Sequence, residues 1–151
     1  MLRLPPFILL LCIGLLTIGS ASLDAQGTFV PPDLAYVISG GWWERGQESG
    51  CYRVLVFSPG YEHVISKVFV EWIGDPKASN EPSRVVATEA IAAINGQPTW
   101  SVGLPSLTAA GKNAATITLQ MANTHSEEDE RRTCTVRLAL PHQVTTTCTP
   151  P

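Results

Sequence analysis

The side chains that could bind a metal or transfer a proton are few and widely spaced in this chain. The three histidines, His63, His125 and His142, are far apart, and the sequence contains no His-x-x-x-His or Cys-x-x-Cys pair. A zinc site would therefore have to be assembled from distant segments. The histidines are interpreted as ordinary surface or turn residues, and the sequence predicts neither a metal site nor a cofactor.

The acidic run at residues 127–130, Glu-Glu-Asp-Glu, does not resemble a calcium loop, because it lacks alternating Asp or Asn ligands and a Gly turn. It is predicted to be the solvated tip of a hairpin loop, partly neutralised by Arg131 and Arg132.

The chain has no Gly-x-Ser-x-Gly elbow and no Ser-x-x-Lys with companion motifs, so no catalytic residue is predicted. A hydrolase with a dispersed site stays open as an alternative, since a base need not be near its nucleophile in sequence.

The adjacent residues Trp42 and Trp43 are the strongest binding candidates. Neighbours on a strand point to opposite faces, so if one packs into the core, the other faces solvent or a partner. With Tyr61 nearby, and with Tyr52 or Trp100, the outward ring could stack on a sugar or anchor a protein. The competing interpretation is that both rings are covered, one by the core and one by the following loop.

The cysteines point to one disulfide. Cys12 lies in an apolar N-terminal run, which leaves Cys51, Cys134 and Cys148. A tight antiparallel turn centred on Pro141 places Cys134 directly opposite Cys148, close enough to be bridged. We therefore expect the Cys134–Cys148 bridge with Cys51 left over, and a bridge from Cys51 to either partner is the rival.

The N-terminus has the layout of a secretory signal peptide. Residues 7–18 form an apolar run of 12 residues, preceded by Arg3 and followed by small residues. As a helix this run would span about 18 Å of a hydrocarbon core of about 30 Å. We predict a signal peptide at residues 1–25, cleaved somewhere within 21–25, a single domain at 26–151, and no stable membrane insertion after cleavage. The mature protein would be periplasmic or extracellular.

The charge distribution narrows the choice of partners. The net charge is −3, and lysines and arginines do not cluster. Binding to nucleic acid requires clustered basic residues, so it is not expected, and the same argument applies to anionic membranes. The expected partner is an exported protein or a carbohydrate.

The remaining pattern predicts short strands separated by turns. Residues 51–57 and 64–73 are rich in β-branched and aromatic residues, while 115–121 and 133–140 alternate with strict period two. The alternation places four residues in the core, Ile117, Leu119, Val136 and Leu138, and four outside, Thr116, Thr118, Thr135 and Arg137.

Three other segments give weaker patterns. A first short strand at 34–39 is expected to end at Gly40-Gly41, the ambiguous segment 84–94 is interpreted as a strand, and 103–113 is predicted to be turn-like. Together the segments predict an all-β fold, an antiparallel β-sandwich, with a small β-barrel as the alternative.

The favoured function is an exported, non-catalytic binding or scaffold domain of unknown ligand, acting through a sheet face, an edge strand or the loops at one end. The alternative is an inhibitor or regulator of another exported protein, and a hydrolase with a dispersed site ranks below it. A flat apolar face around Trp43 would favour binding. A polar cleft where His63 or His142 meets Ser, Asp or Glu would favour an enzyme.

Overall fold

The computed structural model describes residues 30–60, 64–77 and 80–150. The predicted signal peptide and its cleavage sites lie outside the described residues, as do Tyr61 and His63. Within the described ranges, no helix has the length and apolar character needed to cross a bilayer.

The fold is all-β, with two antiparallel sheets, neither of which is closed into a barrel. The first sheet has the order β1-β2-β3-β4. The second has the order β5-β7-β8-β9, and β6 also pairs with β7. In the described part of the chain, the elements are β1 (Leu34–Arg45), β2 (Glu48–Phe57), β3 (Lys67–Gly74), β4 (Arg84–Ala90), α1 (Ala92–Asn95), β5 (Trp100–Val102), β6 (Ser106–Ala109), β7 (Ala115–Asn123), β8 (Arg131–Leu138) and β9 (Val144–Cys148).

Buried residues from both sheets form one hydrophobic core. Its largest fully buried side chains are Trp43, Trp72 and Tyr52. The Tyr52 hydroxyl and the Trp72 indole Nε1 both donate hydrogen bonds to the Ala139 carbonyl, at 3.0 and 2.9 Å. Because Ala139 directly follows β8, these bonds tie the first sheet to the second and satisfy the polar ends of two buried rings.

The predicted faces of the β7–β8 hairpin are confirmed. The four residues assigned to the core are at most 2% exposed. The four assigned to the outside are half-buried or exposed and alternate with them along each strand. A strand with one face on a core and one face in solvent gives this alternation directly.

The last strand has the register expected for a local disulfide. Strands β8 and β9 pair with Cys134 opposite Cys148, and their sulfur atoms lie at bonding distance, 2.01 Å. Cys51 is not in a disulfide.

Strand β1 is longer than the sequence pattern indicates. The Gly40-Gly41 pair bends the strand instead of ending it, because a β-bulge lies between Gly40 and Trp43. Gly41 has φ +67°, and a Cβ there would lie 2.8 Å from the Tyr52 ring, so glycine is required. Beyond the bend, the backbone N–H of Asn113 donates to the Trp42 carbonyl at 3.0 Å, which joins β1 to the loop between β6 and β7.

Two other segments also differ from expectation. The segment 84–94 begins as strand β4 but ends in the helical turn α1, which buries Ile94. The Asn95 side chain bonds both the N–H and the C=O of Val68, and so replaces a strand partner where the ladder stops. The segment 103–113, expected to be turn, contains β6, whose Leu107 packs against the core.

Candidate functional site

The two adjacent tryptophans lie in different environments. Trp43 is fully buried and its Nε1 donates to the Cys51 carbonyl at 3.1 Å, whereas Trp42 is 44% exposed. Two of the rings expected beside it, Tyr52 and Trp100, are buried in the core. The third, Tyr61, lies outside the described residues. The Trp42 ring is thus exposed, but Tyr52 and Trp100 do not lie beside it to form a larger aromatic surface.

The arrangement closest to an acid–base pair involves His142. Its Nδ1 lies 3.0 Å from Oε2 of Glu89, and both side chains are exposed. Catalysis by such a pair also needs a nucleophile within reach of the second ring nitrogen. Within the described ranges, no Ser, Thr or Cys is hydrogen-bonded to His142, and no three His, Cys, Asp or Glu residues are grouped for a metal ion.

The outward side of the first sheet carries large apolar side chains. On β2 the side chains of Tyr52, Val54 and Val56 enter the core, so those of Leu55 and Phe57, which alternate with them, point away from it. On β3, Phe69 and Ile73 likewise point away from the core. The surface is here named the apolar face, and it consists of Val37, Cys51, Leu55, Phe57, Phe69, Ile73, Val85 and Ala90.

Backbone register aligns these side chains in rows. One row crosses all four strands through Val37, Leu55, Phe69 and Ala90. Phe57 contacts Phe69 edge-to-face, with ring centroids 5.7 Å apart. An antiparallel sheet with one face on the core normally places polar side chains on the other face. Large exposed apolar patches are typical of interaction sites, and here the apolar rows are separated by one polar row.

An ion pair crosses the middle of the apolar face. Nε and Nη2 of Arg53 both lie 2.6 Å from Oε2 of Glu71. Glu71 is only 9% exposed, and the pair occupies the register row between two apolar rows. Partial burial among apolar groups strengthens the attraction, but removal of one partner would leave a poorly solvated charge.

The outward side of the second sheet is different, because threonines dominate it. A shallow depression of about 340 Å³ lies over β8 and β9. Its lining is mostly hydroxyl groups beside one guanidinium: Thr133, Thr135, Arg137, Thr145, Thr147, Cys148 and Thr149. This threonine face shows the polar character that the apolar face lacks.

The prediction of Arg132 in an exposed hairpin loop is wrong. Strand β8 begins at Arg131, so Arg132 shares the inward face with Cys134 and Val136. Its guanidinium carbon lies 4.2 Å from the ring centroid of Trp100. The period-two alternation, extended two residues back from Cys134, would have placed Arg132 inside.

Arg131, the neighbour of Arg132, does lie at the surface as expected. Its Nε donates to Oδ1 of Asp129 at 2.9 Å. This hydrogen bond lowers the pKa of Asp129 and raises the pKa of Arg131. The two adjacent arginines therefore have opposite environments, one paired in solvent and one stacked inside.

Comparison with known proteins finds no matching family, no matching curated protein and no matching solved structure. The chain's own residues are therefore the source of information about its function. Three features carry information: the apolar face, the exposed Trp42 ring and the inward Arg132.

Proposed function

We propose that this protein is an exported, non-catalytic binding or scaffold domain that recognises a protein partner through the apolar face. The supporting observation is that Leu55, Phe57, Phe69 and Ile73 point away from the core of a four-stranded sheet. These four side chains are half-buried, and Val37 and Val85 on the same face are 49% and 48% exposed. A partner that covers them would remove further apolar surface from water, which is the main favourable term in association.

The size of the apolar face suits a protein partner. Four strands about 4.8 Å apart, each about eight residues long at about 3.3 Å per residue, give a face of roughly 19 by 26 Å. The projected area of the whole outward side, including its polar row, is about 500 Å². A standard interface buries about 800 Å² on each partner, so this side could form part of one.

The chemistry of the face also favours protein over carbohydrate. Sugar recognition uses exposed aromatic planes with nearby polar groups, whereas Phe57 and Phe69 are half-buried and pack edge-to-face against each other. The central Arg53–Glu71 pair would supply specificity, because a partner must leave that pair solvated or hydrogen-bonded.

The test uses paired variants on the two outer faces. Val37→Lys with Val85→Lys alters side chains that are 49% and 48% exposed, so the fold should tolerate them. Thr145→Lys with Thr147→Lys adds the same charge to exposed positions of the threonine face as a matched control. The tagged protein is cross-linked in its native envelope fraction, and a recovered partner is purified and its affinity for each variant is measured.

We expect the affinity of the partner to fall at least tenfold for the Val37/Val85 variant and to be unchanged for the Thr145/Thr147 variant. Equal affinities for both variants would refute the apolar face as the binding surface. Binding to a polysaccharide that is lost in Trp42→Ala would instead assign the domain to carbohydrate recognition.

A further inference from the structure

We infer that Arg132 and Trp100 form a receptor for a carboxylate at one end of the core, a site separate from the apolar face. Arg132 lies opposite Met121 in the β7–β8 ladder, and Met121 is buried. Trp100 is 7% exposed, and its ring supports the guanidinium at 4.2 Å. This cation–π contact holds the guanidinium beside the indole ring.

The donor atoms left unpaired are the two that bind carboxylates best. Nε and Nη2 of Arg132 are buried, and neither has a hydrogen-bond partner within the described residues. The N–H bonds of these two nitrogens on one edge of the guanidinium run parallel, with a spacing that matches the two oxygens of a carboxylate. Buried donors without partners are costly, so the arrangement favours an acceptor that engages both.

Four other arginines provide an internal comparison, whereas Arg137 is exposed to solvent. In Arg53 the same two nitrogens both contact a carboxylate, that of Glu71. Arg45, Arg84 and Arg131 also pair with carboxylates of this chain. Glu130, close to Arg132 in sequence, accepts a hydrogen bond from Nδ2 of Asn123 at 2.7 Å. Arg132 is therefore an inward-facing arginine whose carboxylate-binding edge is not used by the described chain.

The surroundings define the ligand class. A planar carboxylate can receive both N–H bonds of one guanidinium edge, and the adjoining Met121 and Trp100 side chains favour an apolar remainder. The structure assigns the site to the carboxylate of a small organic acid. Because Nε and Nη2 are out of solvent contact, the ligand enters only when the chain around them opens locally.

The test is a nuclear magnetic resonance titration of the protein with acetate at constant pH and ionic strength, with chloride as the balancing anion. The signals followed are the Arg132 Nε–H and the Trp100 indole N–H. We expect saturable changes in both, with a dissociation constant of about 1–10 mM for so small a ligand. Propionate, which adds one apolar carbon, should bind more tightly than acetate.

Matched variants identify the group that binds. Arg132→Lys keeps the charge but loses the paired N–H bonds, so affinity should fall at least tenfold, whereas Arg131→Lys should bind as the unmodified protein does. Non-saturating or absent changes, or equal affinities for the two variants, would overturn the assignment and show an adventitious ion only. Tighter binding of phosphate than of propionate would also overturn it, in favour of a tetrahedral oxyanion. The titration of the unmodified protein decides the question even if Arg132→Lys fails to fold.

Discussion

Reduction of the Cys134–Cys148 pair should destabilise the protein by about 3 kcal/mol. The two cysteines face each other on β8 and β9 and are separated by 14 positions in sequence. In the chain-entropy account, closing a loop of about 15 residues lowers the entropy of the unfolded chain by an amount worth about 3 kcal/mol at 25 °C. Strand β9 has only five residues, pairs only with β8 among the described strands, and contacts the core through Val144 and Cys148.

The measurement is urea unfolding of a Cys51→Ser background, oxidised and fully reduced. Removing the third cysteine prevents exchange among thiols, and Cys51→Ser alone should change the free energy of unfolding by less than about 1 kcal/mol because the residue is half-buried. With a denaturant slope of about 1–2 kcal/mol/M, a loss of 3 kcal/mol lowers the midpoint by about 1.5–3 M.

Two results would refute the reasoning. A change below about 1 kcal/mol on reduction would mean that the bridge does not constrain the unfolded chain as the loop length requires. A peptide containing Cys51 linked to Cys134 or Cys148 in a non-reducing digest of the unmodified protein would show that the pairing itself is different.

Three further outcomes are expected in denaturant melts. Leu119→Ala should lower the free energy of unfolding by about 2–5 kcal/mol and Thr118→Ala by about 0.5 kcal/mol or less, because only Leu119 is buried. The reverse order would contradict the assigned faces. Trp43→Ala should cost about 3–5 kcal/mol and Trp42→Ala less than about 1 kcal/mol, and similar losses would place both rings in the core. Burial raises the pKa of Tyr52 above its ordinary 10.0, so above about pH 10 the phenol ionises in the unfolded chain while it stays protonated in the folded one. The free energy of unfolding should therefore fall as pH rises above about 10, and it should fall less in Tyr52→Phe. An equal fall in both proteins would contradict the raised pKa.

The parts of the fold that followed from sequence are those set by local alternation. Strict period two in 115–121 and 133–140 determines which side chains share a face, and a burial requirement on one face excludes a one-residue slip. The position of Pro141 then determined the register of β8 with β9, including Cys134 opposite Cys148. Neither inference needed knowledge of the other sheet.

The parts that did not follow depend on contacts between distant segments. Gly40-Gly41 looks like a strand terminator, and only the approach of Tyr52 and Ala115 shows that it is a bend within β1. The helical turn after Ala90 likewise depends on Asn95 reaching the backbone of Val68. Glycine and alanine carry no side-chain pattern that would reveal either contact.

The candidate surfaces were missed for a different reason. The binding candidates taken from the sequence were aromatic residues, and an apolar face around Trp43 would have favoured binding, but Trp43 is fully buried. The signal was present in β2, where apolar residues occupy consecutive positions in 54–57 instead of alternating with polar ones. A strand that is apolar on both faces is typical of a sheet covered on both sides.

The two outer faces of the domain show that the apolar one is not a by-product of strand formation. Threonine favours β-strands as valine does, and the second sheet uses it at exposed positions such as Thr145 and Thr147. The first sheet has Val37 and Val85 at comparably exposed positions, although exposed apolar sheet surface promotes aggregation. The difference supports the proposal that a partner covers the apolar face, with the Arg53–Glu71 pair restricting which surfaces can do so.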